Sequence, residues 1–252
     1  MGAIPDNVRR SVWLRQFALQ ACWNYEGMQN VGFAYSILPA LRHLYAGRPD
    51  DLTRALRRHL EFFNTNPVLA GVILGAVIRL EERAAAGEAD PRAIGTFKVG
   101  LMGSLGAIGD SYFWGALKPM ASAVGAILAL VNPVLGIVAL LVLYNSSHLA
   151  IRLRGFASGV GGEESALRYL KEAAFAAGTE DRKMVAAVMG GAFAGVIGSR
   201  MALSVGGGLS AAGVFLAAAV AVQLFTALFR KAVSPSEVLL LLLVIGALIL
   251  WR

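Results

Sequence analysis

The sequence has little of what keeps a protein in water and almost none of what a soluble enzyme uses to react. Only 15% of its 252 residues are charged and 57% are hydrophobic, whereas a soluble domain carries about 25% charged residues. A single cysteine, Cys22, excludes an internal disulfide and a cysteine-built metal site. It is expected to serve as a small, buried apolar residue. Three histidines are scattered along the chain, and His43 and His59 lie on basic stretches where exposure is expected. There is no Gly-Lys-Ser/Thr loop, no His-Glu-x-x-His pair, and no nucleophile with a base and an orienting group. No catalytic residue, metal ligand or cofactor is therefore assigned, and an independent soluble enzyme is disfavoured.

Negative charge is scarce too, with 16 acidic against 23 basic residues and a net charge of +7. That surplus does not argue for nucleic acid, because in a membrane chain extra Lys and Arg mark cytoplasmic loops. What is abundant is long apolar sequence. Pro119–Tyr144 carries no charge, and neither do Met184–Gly198, Met201–Phe229 and Val238–Trp251, with Arg200 between two of them. Runs of about 20 apolar residues cross a bilayer, so the fold class expected is an all-α integral membrane protein. The first residues hold Pro5, Asp6, Asn7, Arg9 and Arg10 where a secretory signal would have its apolar core. The amino terminus is expected to be retained and cytoplasmic. Arg230 and Lys231 outweigh Arg252, which places the carboxy terminus in the periplasm.

Four stretches organise a single membrane domain over 1–252. Residues 1–63 read as amphipathic or arm helices, with one helix over 8–45 that ends at Gly47-Arg48-Pro49 and another opening at Asp50-Asp51. This second helix has Leu52, Leu56, Leu60 and Phe63 on one face and Arg54, Arg57, Arg58 and Glu61 on the other, which suits a membrane surface or packing on protein equally. Residues 64–155 read as a re-entrant and spanning core. Asn66 and Pro67 suit a helix start, and Val68–Ile78, about 16 Å long, is too short to span, so it reads as half a re-entrant hairpin or a helix buried against others. Residues 79–98 read as polar loop. Gly100, Gly103, Gly106, Gly109 and Gly115 then space a second re-entrant hairpin over 98–118, and Pro119–Tyr144 reads as a span interrupted at Asn132-Pro133. Residues 156–183 read as a polar loop with a short helix near Glu163–Ala177. Residues 184–252 read as carboxy-terminal transmembrane helices, with a GxxxG pair at Gly191 and Gly195, a break at Gly206-Gly207-Gly208 and a last helix from Ser234-Pro235.

Two acidic residues lie away from the polar blocks, Glu26 and Asp110. An ionisable group at membrane depth costs about 2.5–3.5 kcal/mol, so it is a functional candidate. In a helix Glu26 and Gln29 share a face, with Asn24 one step round. Asn64 and Asn66 add neutral donors and acceptors. Carboxylates that accept and amides that do both suit a hexose's hydroxyls, and Trp23, Tyr25 or Phe63 can cover its apolar face. The plain alternatives are a helix cap for Asn66 and, for Asp110, a cap or an ion pair with Lys98 or Lys118.

Three segments together resemble a known family. Trp23-Asn24-Tyr25-Glu26-Gly27-Met28-Gln29-Asn30, followed by Gly32-Phe33, is similar to the NYERMQ…GF signature of the IID subunit of mannose/fructose/sorbose-type phosphotransferase system (PTS) permeases. Glu61-Phe62-Phe63-Asn64-Thr65-Asn66-Pro67 resembles that family's FFNT-H/N-P segment. Lys98–Gly103 through Gly109–Gly115 resembles its KVGLMGPLAGIGDSIFWG segment. Gly27 stands where a bulky residue is usual, and Ser104-Leu105-Gly106-Ala107 stands for PLAG. The resemblance covers about residues 10–155. It implies an inverted-topology relative of the IIC subunit that pairs with IIC in the bacterial inner membrane. The pair would form a higher hetero-oligomer that translocates a hexose, phosphorylated by a cytoplasmic IIAB partner. Carried over position by position, Asn24, Glu26, Gln29, Asn64, Asn66 and Asp110 fall in the motifs as substrate-site candidates, with Asp110 bracing the hairpin. Rival expectations are a transport-inactive receptor or regulatory subunit and a membrane-embedded lipid-modifying enzyme.

Overall fold

The computed structural model describes residues 4–172 and, beyond them, 179, 181–186, 188–190 and 193. Apart from those few positions, the expected helices of 184–252, the Gly191/Gly195 pair, the break at Gly206-Gly207-Gly208 and the last helix lie outside the described residues. Helices dominate the described part: α1 (Asp6–Arg15), α2 (Asn30–Leu44), α3 (Pro49–His59), α4 (Ala70–Ala85), α5 (Arg92–Gly109), α6 (Lys118–Ala129), α7 (Pro133–Val160) and α8 (Glu163–Glu172).

The single helix expected over 8–45 is two helices. After α1 the chain makes a tight 3₁₀ turn at Gln16–Ala18 and then reverses before α2. The reversal is built by side chains that compete with helix. Asn24 Oδ1 accepts from the Glu26 and Gly27 amides at 3.1 and 2.8 Å, and Met28 takes a left-handed φ of 57°. Glu26 and Gln29 therefore do not share a helix face. Cys22, in the same reversal, is exposed rather than buried.

α3 begins as its residues predict, with Pro49 at the first turn, Asp50 and Asp51 beside it, and Arg57 and Arg58 at the carboxy end. It packs on α2 with Ala55 and His59 buried, so the protein-packed alternative is the one observed. For Val68–Ile78 the alternative of a helix buried against others is the one observed. The segment falls in the turn before α4 and in α4 itself, a helix buried along most of its length against α7, α5 and α2.

Over 98–118, where a second hairpin was expected, the chain does not turn. Residues 92–129 are helical without interruption, widening to π pitch over Asp110–Leu117 between α5 and α6. Glycines remove side-chain bulk here without breaking the helix, since the backbone bonds continue. The reversal comes instead at 130–132. Asn132 caps α7, its Oδ1 accepting from the Val134 and Leu135 amides at 2.9 and 3.1 Å, with Pro133 at the first position. Pro119–Tyr144 is thus parts of two antiparallel helices. A Cβ on Gly125 would lie 2.9 Å from the Gly136 carbonyl oxygen, so glycine is what lets α6 and α7 touch.

α7 has 28 residues and is long and apolar enough to cross a membrane. It runs on to Val160, through the start of the stretch expected as polar loop over 156–183, and α8 then occupies Glu163–Glu172. Val134, Ile137, Val138, Leu141 and Val142 are all exposed on α7. A soluble protein would bury such a helix, so this surface calls for lipid or another apolar helix.

Candidate functional site

The three motif segments meet in space. The reversal at 24–30 docks on the segment before α4 through backbone bonds, from the Gln29 amide to the Phe63 carbonyl at 2.9 Å and from the Phe63 amide to the Gly27 carbonyl at 3.2 Å. The Gln29 side chain fastens the same join. Its Nε2 donates to the Thr65 carbonyl at 2.8 Å and its Oε1 accepts from the Thr65 amide at 3.1 Å. Both capacities of the buried amide are used on backbone. Gln29 is thus placed as a clamp.

Asn66 joins the third segment. Its Oδ1 accepts from the Val68 amide at 3.0 Å, a capping bond ahead of α4, and its Nδ2 donates to Asp110 Oδ1 at 2.9 Å. The close approach depends on Gly109, where a Cβ would lie 2.3 Å from the Asn66 Cβ. Asp110 therefore pairs with Asn66 and with neither Lys98 nor Lys118, and it sits on an unbroken helix.

The other candidates are less enclosed. Glu26 is exposed in the reversal, as is Asn64 beside Thr65. Asn24 is half-buried and holds the turn, with its Nδ2 donating to Asn30 Oδ1 at 3.1 Å. Trp23 and Tyr25 are exposed and meet edge to face at 4.9 Å. Phe63 is fully buried, 4.5 Å from the Phe33 ring, and cannot cover a ligand. The geometry thus offers an outward-facing rim of Glu26, Asn64 and Asp110 with two aromatic rings nearby, on a base locked by Gln29 and Asn66.

Beneath this base lies a buried cluster that sequence reasoning missed. Glu81, expected in a polar loop, has a fully buried side chain near the polar end of α4. It accepts from Arg58 Nε at 2.6 Å and Nη2 at 3.0 Å, from His59 Nε2 at 2.8 Å and from the Tyr45 hydroxyl at 2.7 Å. Burial pushes the Glu81 carboxyl up, but the His59 and Arg58 contacts outweigh it and hold it down at about 2. His59, expected at the surface, is fully buried, and burial keeps its imidazole below its ordinary range against the pull of Glu81. Lys98, also expected in the loop, is buried 5.0 Å from the Phe33 ring centre and donates to the Arg58 carbonyl at 3.0 Å. The available signal was spacing: Glu81 lies within three residues of the apolar run that ends at Ile78, on α4's buried face.

A chain whose described residues are mostly helical, with an exposed apolar helix of spanning length, glycine-mediated helix contacts and a polar rim on a locked base, is a helical integral membrane protein. The family model for the PTS system mannose/fructose/sorbose family IID component matches residues 3–252, and the chain belongs to that family. It is 46% identical over 151 residues to the mannose-specific EIID component of Escherichia coli (strain K12), covering 60% of this chain and 53% of that protein. The chain thus spans about half the length of the curated relatives it matches. A solved membrane protein superposes with a TM-score of 0.75 at 31% identity, over 98% of this chain and 96% of the other. The solved mannose transporter ManYZ in complex with microcin E492 superposes with a TM-score of 0.61 at 31% identity, over 97% and 95%.

Proposed function

We propose that this chain is the IID half of a PTS hexose permease. With a IIC partner it translocates a mannose-type hexose across the bacterial inner membrane, coupled to phosphorylation by a IIAB partner. The observation that carries this is the convergence of the three motif segments on one polar rim. Glu26, Asn64 and Asp110 offer hydroxyl-binding groups there, Trp23 and Tyr25 offer aromatic faces, and Asn24, Gln29 and Asn66 set the geometry. Multi-pass placement, a cytoplasmic amino terminus, a periplasmic carboxy terminus and inverted-topology kinship with IIC belong to the same proposal. Alternating access would move the rim against the partner's surface.

The test is sugar uptake by Glu26→Gln and Asn66→Ala variants shown to be expressed and assembled with IIC. Loss of uptake is expected, and uptake at the parent rate in both would remove the site assignment. Co-purification of IIC is expected, and a chain that purifies alone and stable would overturn the permease reading. A receptor role is a second reading, because one structural relative was solved with microcin E492 bound. Microcin sensitivity in cells whose uptake is abolished would favour it.

A further inference from the structure

A cavity of about 220 Å³ opens between the first turns of the chain and α7, lined by Gln16, Phe17, Trp114, Tyr144, His148 and Arg152 among others. Its polar groups are unusually short of partners. Gln16 is 2% exposed, and neither of its amide atoms has a protein hydrogen bond. Both ring nitrogens of His148 and the Nε of Arg152 are in the same position. Buried polar groups are nearly always paired, so a set of orphans around one opening marks a place where something else supplies the bonds. One bridging water takes about 30 Å³, far less than this space.

The charge decides the chemistry. Arg152 is 5% exposed, donates from Nη2 to the Pro67 carbonyl at 2.6 Å and stacks 4.5 Å from the Phe17 ring centre. No carboxylate among the described residues pairs with it. A buried guanidinium left with one carbonyl bond is costly, and a tetrahedral oxyanion matches its remaining donors. Depth agrees. Arg152 lies about 28 Å along α7 from Pro133, and the hydrocarbon core is about 30 Å thick. An α7 that enters the bilayer at Pro133 brings Arg152 to the opposite headgroup layer.

We propose that this cavity binds a phosphate group, held by Arg152 with Gln16 and His148, apart from the polar rim. The phosphate can come from a lipid headgroup or from free phosphate. The test uses the full chain in nonionic detergent, stripped of lipid, with binding read by native mass spectrometry and thermal shift. The probes are short-chain phosphatidylglycerol, a phosphate-free glucosyl-diacylglycerol and inorganic phosphate. Phosphatidylglycerol is expected to bind at least tenfold more tightly than the glycolipid. Arg152→Gln is expected to lose that preference, Arg152→Lys to keep most of it, and Gln16→Ala to weaken it severalfold. Failure of inorganic phosphate to displace the lipid assigns the site to a headgroup, and its displacement at similar concentration assigns it to free phosphate. Equal binding of the two lipids by the parent chain overturns the proposal without recourse to any variant. So does a folded Arg152→Gln chain that binds phosphatidylglycerol within twofold of the parent.

Discussion

Glu81 accepts hydrogen bonds from Arg58, His59 and Tyr45 inside the protein, so its removal leaves a largely buried cation facing an apolar interior. Breaking a buried pair from one side costs about 3–5 kcal/mol. Glu81→Gln is expected to lower the midpoint of thermal unfolding in detergent by many degrees, and an unchanged midpoint would show that the cluster contributes no stability. The pH dependence has a definite sign. Glu81 ionises near 2 in the fold against about 4.5 ordinarily, so its contribution is complete above about 4.5 and is lost as pH falls towards 2. His59 is also held below its ordinary value of about 6.5, so its contribution is complete above that pH and erodes below it. Stability should therefore fall on the acid side, beginning near 6.5, and His59→Gln should remove the earlier part of the fall. At Gly27 a Cβ would lie 2.0 Å from Asn30 Nδ2, which donates to the Leu60 carbonyl at 2.6 Å. Gly27→Ala is expected to cost about 1–2 kcal/mol through that bond. Adding Asn30→Ala should give less than the sum of the two single losses in a double-mutant cycle. Strict additivity would show that the two residues do not interact.

Between elements, glycine decides which helices can touch. A Cβ on Gly159 would lie 2.3 Å from the Val72 carbonyl, and one on Gly75 would lie 2.6 Å from the Phe156 carbonyl, so α4 and α7 meet backbone to backbone. Gly159→Leu should separate them at a cost of about 3 kcal/mol or more. Gly100 has open space where its side chain would be, so Gly100→Ala should be neutral or stabilise α5 by about 0.5–1 kcal/mol. Equal midpoints for the two variants would refute the distinction. The same contrast explains what the sequence made legible. The start of α3 was readable because Asp50 and Asp51 act on their own neighbours, whereas Asn132-Pro133 read only as an interruption of a span and turned out to cap α7. The glycine run over 98–118 was misread as a hairpin because composition does not distinguish a glycine that bends a backbone from one that admits a neighbour. The reversal at 24–29 was hidden for a related reason. Its apolar spacing is helical, and only the Asn24 side chain and the left-handed Met28 override it. The clustering of the motif segments could be expected, but the Gln29 clamp and the Asn66–Asp110 bond depend on pairings 36 and 44 residues apart in the chain, which no local pattern encodes.

At the scale of the whole molecule, the question is which surface meets lipid. The reversal at 130–132 places Val131 at a tip, where it is 83% exposed, while Val142 is 59% exposed midway along the part of α7 that leads to Arg152. If that part spans the bilayer, both residues are exposed in the isolated chain yet face different solvents. A lysine near the centre of a spanning helix costs about 2.5–3.5 kcal/mol of insertion free energy, whereas near an interface its side chain reaches the headgroups. Val142→Lys is therefore expected to reduce membrane integration of the chain about a hundredfold in a translocon insertion assay, and Val131→Lys to leave it near the parent level. A soluble protein with an accidentally exposed helix would tolerate both, because each lysine would simply reach water. Equal integration of the two variants would mean that α7 does not run through the hydrocarbon core. It would also withdraw the depth argument that places Arg152 at the headgroup layer.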